Sequence, residues 1–208
     1  MRIKICGITN ISDALVCQRE GADALGFVFY RGSKRYITPE QAQEIIAGLS
    51  PLIMKIGVFV DEPVDAINKI ATQLGLNAVQ LHGEELPGYI DKIHLPVIKS
   101  FRVDPEFDYA KLISYQNCYY LLDSYSAQAY GGTGLRFNWQ HIPEELRQSI
   151  ILAGGISIDN IELICRDIKP AAIDISSALE EYPGKKDPEK IRQFMNKYQS
   201  LNNVKTET

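Results

Sequence analysis

The chain has 208 residues, 45% of them hydrophobic, which is enough for one substantial core and short for two independently folded domains. Acidic residues outnumber basic ones by 26 to 22, and the net charge of -4 argues against nucleic acid as a partner. The four cysteines are widely spaced and suggest neither a zinc ribbon nor a disulfide framework. No apolar run has the length of a signal peptide or a membrane span. We therefore expect a cytoplasmic protein that acts on a small molecule, away from membranes.

Short apolar runs alternate with amphipathic segments along the chain, and this alternation is typical of repeated βα units. In chain order, the predicted strands are residues 2–6, 24–29, 53–60, 78–81, 97–101, 119–123, 150–153 and 171–175. A closed parallel barrel requires eight strands, so the sequence predicts a single-domain α/β fold, a (βα)8 TIM barrel over residues 1–200. A doubly wound open sheet gives the same alternation, but the turn after the first strand lacks the GxGxxG signature. Residues 201–208 are predicted to be a polar tail.

Two helix starts carry recognisable signals. Thr38, Pro39 and Gln41 predict a helix that begins with a capping box and a proline in its first turn. The last helix is predicted to begin at Asp187-Pro188 and to dock on the barrel through residues at helical spacing: Ile191, Phe194, Met195 and Tyr198. The fourth and sixth helices are less clearly indicated, because Pro87 and Pro143 interrupt them.

The C-terminal ends of the strands are where (βα)8 barrels place their active sites. Cys6 ends the first predicted strand and Asp123 ends the sixth. Alternation puts Cys6 on the same face as Lys4, and Asp123 on the same face as Leu121, so a thiol and a carboxyl group meet at the mouth if both faces point inward. Each residue also has a structural interpretation, because a strand cysteine is often a small buried hydrophobe and an aspartate after a strand often caps a turn.

The seventh and eighth strand ends carry small residues that suit an anion. Gly154 and Gly155 offer backbone N–H groups with no side chain in the way, and Ser176 and Ser177 follow the eighth strand. Many barrels hold a phosphate between these two loops, so we predict a phosphate site and a phosphorylated substrate. Taken alone, the glycine pair is equally compatible with an ordinary turn.

Charged residues appear at two further places. Arg31, Lys34 and Arg35 cluster after the second strand, where they can bind an anion or lie in solvent; Arg35 is the preferred ligand because its planar donor fork suits a carboxylate. Lys4 and Asp174 lie within strands that are neighbours in a closed barrel. Because an isolated buried charge costs several kcal/mol, we predict that these two residues form a buried ion pair beneath the site.

Five short segments at successive positions along the barrel resemble the phosphoribosylanthranilate isomerase family. They are Lys4-Ile5-Cys6-Gly7-Ile8-Thr9, Gln80-Leu81-His82-Gly83, Leu122-Asp123-Ser124, Gly131-Gly132-Thr133-Gly134 and Leu152-Ala153-Gly154-Gly155-Ile156. The resemblance implies a TIM-barrel isomerase of tryptophan biosynthesis. Its implied reaction is an Amadori rearrangement of N-(5-phosphoribosyl)anthranilate to 1-(2-carboxyphenylamino)-1-deoxyribulose 5-phosphate, with no metal and no organic cofactor.

The resemblance also implies residue roles. Cys6 would be the general base, Asp123 the general acid and Arg35 the ligand of the anthranilate carboxylate. His82 is a further substrate-binding residue, and the phosphate would be held around four positions: Gly154, Gly155, Ser176 and Ser177. One departure is Ala178, where the family usually has glycine; if that glycine provides a positive φ or a close approach to phosphate, Ala178 should weaken phosphate binding.

The implied reaction sets requirements on both catalytic groups. Opening the furanose ring needs a proton on the ring oxygen, so Asp123 must be protonated at working pH in a site that disfavours the carboxylate. Removing the C2 proton needs a base, and a cysteine of ordinary pKa is only a few per cent thiolate at neutral pH, so nearby positive charge would help, with Lys4 as a candidate. The Gly- and Ser-rich segment 124–137 is predicted either to close over the substrate or to be a disordered surface loop.

Two other functions remain open from the sequence. A related phosphosugar barrel enzyme, such as the isomerase of histidine biosynthesis, resembles this chain in fold and reaction but has an aspartate where Cys6 stands. A barrel that binds a phosphorylated ligand without turning it over has Ala178 as its only support. We expect a monomer rather than a homodimer, because no large apolar surface is evident.

Overall fold

Eight parallel strands close into a barrel in the computed structural model, which describes residues 1–124 and 139–203. The strands pair in chain order, and the first closes on the eighth. They are β1 (Arg2–Cys6), β2 (Ala24–Val28), β3 (Met54–Phe59), β4 (Ala78–Leu81), β5 (Val97–Val103), β6 (Cys118–Ser124), β7 (Ile151–Ala153) and β8 (Ala172–Ile175). Each predicted strand is present, and its ends differ from the prediction by at most two residues. The predicted TIM barrel is confirmed.

Helical segments of unequal length surround the barrel. The α-helices are α1 (Ile11–Arg19), α2 (Pro39–Ala47), α3 (Val64–Leu74), α4 (Pro87–Ile90), α5 (Glu144–Arg147), α6 (Ile161–Leu163) and α7 (Pro188–Asn203). A π-helical turn (Ile164–Ile168) continues α6, and 3-10 turns span Tyr109–Ser114, Trp139–His141 and Ser177–Leu179. A hairpin of β9 (Glu180–Tyr182) and β10 (Lys185–Lys186) follows β8. The two proline-interrupted helices, α4 and α5, have only four residues each. None of the helices in the described ranges is long and apolar enough to cross a membrane.

The predicted start of α2 is confirmed. The Thr38 hydroxyl accepts from the backbone N–H of Gln41 at 3.3 Å, while the Gln41 side-chain oxygen accepts from the Thr38 N–H at 3.1 Å. This reciprocal pair satisfies two helix N–H groups that otherwise lack partners. Pro39 occupies the first turn, where its missing N–H costs nothing. The local sequence therefore fixes where α2 begins, and with it the position of the loop that carries Arg35.

The inside of the barrel is layered from apolar to polar. Its lower layer is apolar and contains Ala24, Ile56, Ala78, Ile98, Leu121 and Ala153. Two residues further along β4 and β5 lie Gln80 and Ser100, which together with Lys4 of β1 form a polar layer that is nearly inaccessible to water. Gly26 makes room for this layer, because a Cβ atom there would lie 2.7 Å from the Cys6 sulfur and 3.1 Å from Cε of Lys4. Because every second residue of a strand points inward, the polar layer continues towards the mouth of the barrel.

The predicted ion pair beneath the site is confirmed. Lys4 and Asp174 lie opposite each other in the register of β1 and β8, and their charged atoms are 2.6 Å apart. Only 4% of the Lys4 side chain and 8% of the Asp174 side chain are exposed. The Lys4 ammonium also donates to the side-chain oxygen of Gln80 at 2.7 Å. The pair therefore links the first and last strands inside the barrel.

The last helix docks on the barrel as predicted. Ile191, Phe194 and Met195 are buried, and Tyr198 packs against the same core. The helix continues to Asn203, and Leu201 also packs on the core; the polar tail 201–208 stays a prediction. Leu201 follows Phe194 by seven residues and so extends the same apolar stripe. Residues 204–208 lie outside the described part of the chain.

Truncation of Phe194 should destabilise the fold. The side chain is fully buried between α7 and the rest of the core, so Phe194→Ala should lower the free energy of unfolding by about 3–5 kcal/mol. The neighbouring exposed residue provides the control, and Asn196→Ala should change it by less than about 0.5 kcal/mol. Urea denaturation of both variants measures the difference. Equal values would show that α7 does not dock through this face.

Candidate active site

One cavity of about 330 Å³ opens at the C-terminal ends of the strands and brings together every predicted site residue. Its lining includes Cys6, Arg35, His82, Asp123, Gly154, Gly155, Ser176 and Ser177. Of the three clustered basic residues, only Arg35 lines the cavity, whereas Arg31 and Lys34 are exposed. The site is thus assembled from strand ends and loops that are distant in sequence, as the barrel geometry predicts.

Asp123 provides a carboxyl group whose pKa is raised. Asp123 is the next-to-last residue of β6, and 33% of its side chain is exposed. Burial raises the pKa of Asp123 to about 6, and the negative charge of Asp174 acts in the same direction. Because an ordinary aspartate has lost its proton at that pH, this site holds a carboxyl group that is partly protonated near neutrality. This is the property that the sequence analysis required of a proton donor.

Cys6 provides a thiol that is protonated in the resting protein. Burial raises the pKa of the Cys6 thiol above its usual range, while the positive charge of Lys4 acts to lower it. Lys4 is therefore the source of positive charge that the sequence suggested, but burial outweighs its effect. Any thiolate at this position needs further positive charge from a bound ligand.

A chain of polar side chains connects Lys4 to Asp123. Gln80 accepts from Lys4, and its amide nitrogen lies 3.1 Å from the Ser100 hydroxyl and 3.2 Å from Nδ1 of His82. On its other side, Nε2 of His82 lies 3.6 Å from an Asp123 carboxyl oxygen. Burial lowers the pKa of His82, and the nearby Lys4 ammonium lowers it further, so the ring is neutral at neutral pH.

Arg35 reaches the cavity while paired with Glu180. Its Nε and one terminal nitrogen donate to the two carboxylate oxygens of Glu180 at 2.8 and 2.5 Å. This bidentate pair leaves the other terminal nitrogen of the guanidinium for a ligand. Gly7 permits the arrangement, because a Cβ atom there would lie 2.5 Å from Cδ of Arg35. The guanidinium of Arg35 is therefore held in one orientation, in which its remaining terminal nitrogen can donate to a ligand.

The glycine turn after β7 exposes backbone to the cavity. Gly154 and Gly155 have φ angles of 81° and 66°, a left-handed conformation that glycine adopts without strain. Beyond its chain neighbours, no atom lies within 4 Å of the place where a Gly155 Cβ would be, so this side of the turn is open.

The two serines after β8 are not equivalent. The Ser176 hydroxyl donates to the carbonyl oxygen of Cys6 at 3.0 Å, and Lys186 donates to the same hydroxyl at 3.4 Å. Since a hydroxyl has one proton to give, Ser176 must rotate before its side chain could donate to a phosphate oxygen. Ser177 begins the following 3-10 turn and lines the cavity.

Comparisons with known proteins agree with this geometry. A family model described as N-(5'phosphoribosyl)anthranilate (PRA) isomerase matches residues 3–197. The chain is 46% identical over 196 residues to the N-(5'-phosphoribosyl)anthranilate isomerase of Geobacter sulfurreducens, covering 94% of this chain and 97% of that protein. The chain belongs to the phosphoribosylanthranilate isomerase family.

Two solved structures of the family are similar to this barrel. One is a complex with reduced 1-(o-carboxyphenylamino)-1-deoxyribulose 5-phosphate, with a TM-score of 0.85, 40% identity, and coverage of 96% of this chain and 99% of that one. The other shows monomers of the dimeric Thermotoga maritima enzyme, with a TM-score of 0.83, 38% identity, and coverage of 96% and 98%. The prediction of an aldose–ketose isomerase of this family, in tryptophan biosynthesis, is confirmed at that level.

The departure from the family pattern at Ala178 introduces no backbone strain. Ala178 lies in the 3-10 turn Ser177–Leu179 and is not among the described residues with a positive φ. The positive φ that would penalise alanine is therefore not used here, because the turn has a conformation open to any residue, and weaker phosphate binding stays a prediction. Ala178 packs against the core, which also explains why a methyl group is accommodated.

Three buried polar residues near the phosphoribosylanthranilate isomerase site carried no predicted role. Gln80 orients its neighbours inside the barrel, while Glu180 and Lys186 form an ion pair of 2.9 Å below Arg35 and Ser176. Lys186 is completely buried. Glutamate and lysine after a strand normally indicate a solvent-exposed turn, so the sequence offers no signal that the β9–β10 hairpin folds inward.

Two expectations are not decided by these residues. Of the segment 124–137, predicted either to close over the substrate or to be a disordered surface loop, all but Ser124 lies outside the described residues, as does the glycine-rich segment 131–134. Within residues 1–124 and 139–203, no group of three or more His, Cys, Asp or Glu side chains is arranged to hold a metal. Independence from metals and cofactors stays a prediction.

Replacing the Asp123 carboxyl group should stabilise the protein at neutral pH. Its pKa is raised from 3.8 to about 6, so the folded state binds this proton more tightly than the unfolded chain, and stability falls as pH rises between these values. Asp123→Asn should raise the free energy of unfolding at pH 7.5 by roughly 1–2 kcal/mol, allowing for solvent screening of a side chain that is 33% exposed. Urea denaturation should show the gain disappearing below about pH 4. A gain that is equal at both pH values would contradict this origin.

Proposed function

We propose that this chain converts N-(5'-phosphoribosyl)anthranilate to 1-(2-carboxyphenylamino)-1-deoxyribulose 5-phosphate, with Cys6 as the general base and Asp123 as the general acid. The observation that carries the proposal is the position of these two residues at the ends of β1 and β6, in the lining of one cavity. A reduced analogue of this product is bound in a solved structure of the family. The reaction needs one acid and one base flanking a single sugar, and the cavity offers both.

The first step in this proposal is ring opening. Asp123 gives its proton to the furanose oxygen as the C1–O bond breaks, and the anthranilate nitrogen becomes a protonated Schiff base. The raised pKa of Asp123, about 6, keeps part of the population protonated near neutrality. The negative charges of the bound substrate would raise the protonated fraction further.

The second step is removal of the C2 proton by Cys6. The resting thiol is protonated because burial dominates its pKa. The positive charge of the Schiff base, added to that of Lys4, favours the thiolate only after ring opening. The resulting enolamine then tautomerises to the ketone, with the C1 carbon gaining a proton and the C2 hydroxyl losing one. The base is thus activated at the step that uses it.

Substrate binding in this proposal uses the two anionic ends. Arg35 receives the anthranilate carboxylate on the guanidinium edge that Glu180 leaves free. The backbone around Gly154 and Gly155, together with Ser177 and the Ser176 region, receives the phosphate. His82 lines the cavity beside Asp123. No group on this list requires a metal.

The assembly and location of the chain are also proposals. A monomer built as one domain, residues 1–200, and working in the cytoplasm remains our expectation. The Thermotoga maritima relative is described as dimeric, so the two members of the family can be compared directly. Light scattering at micromolar concentration measures the mass of this chain against the 23.4 kDa of one copy.

Substitution of either catalytic group should abolish turnover and leave binding intact. Cys6→Ser and Asp123→Asn should each lower kcat at least 100-fold, because each removes a proton-transfer group. Titration calorimetry with the reduced product analogue should show affinity within a few-fold of the unchanged protein. Cys118→Ser is the matched control, since Cys118 lies at the start of β6, away from the cavity lining, and should leave kcat unaltered.

The same assay separates the alternatives. A barrel that only binds its ligand would show no turnover in the unchanged protein. Turnover of only the aminoaldose of histidine biosynthesis would indicate the related isomerase of that pathway. Either result would overturn the proposal.

Loss of the Arg35 guanidinium should weaken substrate binding. Arg35→Met should raise KM roughly 10- to 100-fold with a smaller change in kcat, and Glu180 still keeps its ion pair with Lys186 in this variant. Arg31→Met is the control, because Arg31 is exposed and does not line the cavity. Steady-state kinetics measure both. An unchanged KM in Arg35→Met would remove Arg35 from the binding site.

A further inference from the structure

The orientation of the Gln80 side chain is dictated by Lys4. A lysine ammonium has only hydrogen atoms to donate, so the Gln80 atom that lies 2.7 Å from it must be the carbonyl oxygen. Lys4 is itself fixed by its ion pair with Asp174. The amide NH2 group of Gln80 therefore points the other way, towards Ser100 and His82. Only 3% of Lys4 and 1% of Gln80 are exposed, so water cannot take over either contact.

The orientation of Gln80 in turn decides where His82 carries its proton. The Gln80 amide nitrogen lies 3.2 Å from Nδ1 of His82. Because that amide nitrogen donates, Nδ1 must be the acceptor, and the single ring proton must be on Nε2. Nε2 is the atom that lies 3.6 Å from the Asp123 carboxyl oxygen. A doubly protonated ring would set two donors against each other at Nδ1.

We infer that Lys4 and Gln80 lock His82 in its neutral Nε2–H form, and that His82 in this form is a positioning residue that presents an N–H donor to the Asp123 carboxyl group. The catalytic part of this inference rests on the proposed role of Asp123 as proton donor. His82 does not transfer a proton. Its N–H group stabilises the carboxylate that Asp123 becomes once its proton has moved to the ring oxygen.

Charged groups around His82 support a neutral ring. The titratable and charged side chains around it come from four strands: Lys4 of β1, Lys99 and Arg102 of β5, Asp123 of β6 and Asp174 of β8, with the uncharged Gln80 as its neighbour on β4. The three cations and burial oppose a positive charge on the ring and outweigh the opposite effect of Asp174. The separation of 3.6 Å is slightly longer than a hydrogen bond, so the contact should tighten when the carboxylate forms.

Nitrogen NMR tests the locked tautomer without any substrate. The chain has three histidines, and loss of one set of imidazole signals in His82→Gln assigns His82. Long-range 15N–1H spectra should show His82 neutral at pH 7 and protonated on Nε2 alone. Gln80→Glu has nearly the same shape but puts an acceptor opposite Nδ1, so it should move a proton to Nδ1. An Nδ1–H form in the unchanged protein, or no response to Gln80→Glu, would overturn the inference.

Two replacements of His82 test the positioning role. His82→Gln retains an N–H donor within reach of Asp123, whereas His82→Leu has similar bulk and no donor. His82→Leu should lower kcat roughly 10- to 100-fold with little change in KM, and His82→Gln should recover most of the loss. The alkaline limb of the kcat profile, which reports the acid form of Asp123, should move upward in His82→Leu alone, because the carboxylate has lost a donor.

A direct measurement of Asp123 separates this inference from the proposed function. Carbon NMR of the side-chain carboxyl group should give a higher pKa for Asp123 in His82→Leu than in His82→Gln, whether or not the protein turns over substrate. Equal pKa values in the two variants would overturn the positioning role. If the shift is present but the unchanged protein has no isomerase activity, the proposed function fails and the contact between His82 and Asp123 stands.

Discussion

The buried ion pair between Lys4 and Asp174 is the interaction on which the rest of the site depends. It joins the first and last strands, and neither charge can lose its partner without a large penalty. Its two charges also shift the pKa values of different groups in the site. At Cys6 the Lys4 ammonium has a larger effect on the thiol pKa than Asp174 has, whereas at Asp123 the Asp174 carboxylate has the larger effect. One structural pair therefore biases the candidate base towards its thiolate and the candidate acid towards its protonated form.

Burial acts on the same two groups and disfavours their charged forms. It is the largest cause of the raised pKa of both Cys6 and Asp123, and the largest cause of the lowered pKa of His82. The resting cavity therefore holds a protonated thiol, a partly protonated carboxyl group and a neutral imidazole beside the Lys4–Asp174 pair and Arg35. A positive centre that forms on a bound substrate acts on groups that are partly buried, where charges interact more strongly than in bulk water.

The sequence predicted the barrel, the placement of its site and the Lys4–Asp174 pair, because these follow from strand periodicity and closure alone. It did not predict the Arg35–Glu180 pair, whose members are 145 residues apart and meet only through two loop conformations. Nor did it predict the inward fold of the hairpin that carries Lys186, since charged residues in turns are ordinarily solvated. Contacts that depend on loop conformation leave no periodic pattern in the sequence from which they could be predicted.

Charged residues near the beginning of the chain find their partners almost at its end. Asp13 accepts from the side chain of Lys185 and from the backbone N–H of Lys186, about 172 residues away. The ion pair between Lys4 and Asp174 spans a similar stretch of the chain. During synthesis on the ribosome, the N-terminal half emerges first and must keep these charges hydrated until the final strand and hairpin follow. An unfinished chain that stops before β8 therefore contains Cys6 and Asp123 but lacks the counter-charges that hold the mouth of the barrel together. Translational arrest before residue 172 would yield a polypeptide with seven of the eight barrel strands, without Asp174 and without the hairpin that carries Lys185 and Lys186.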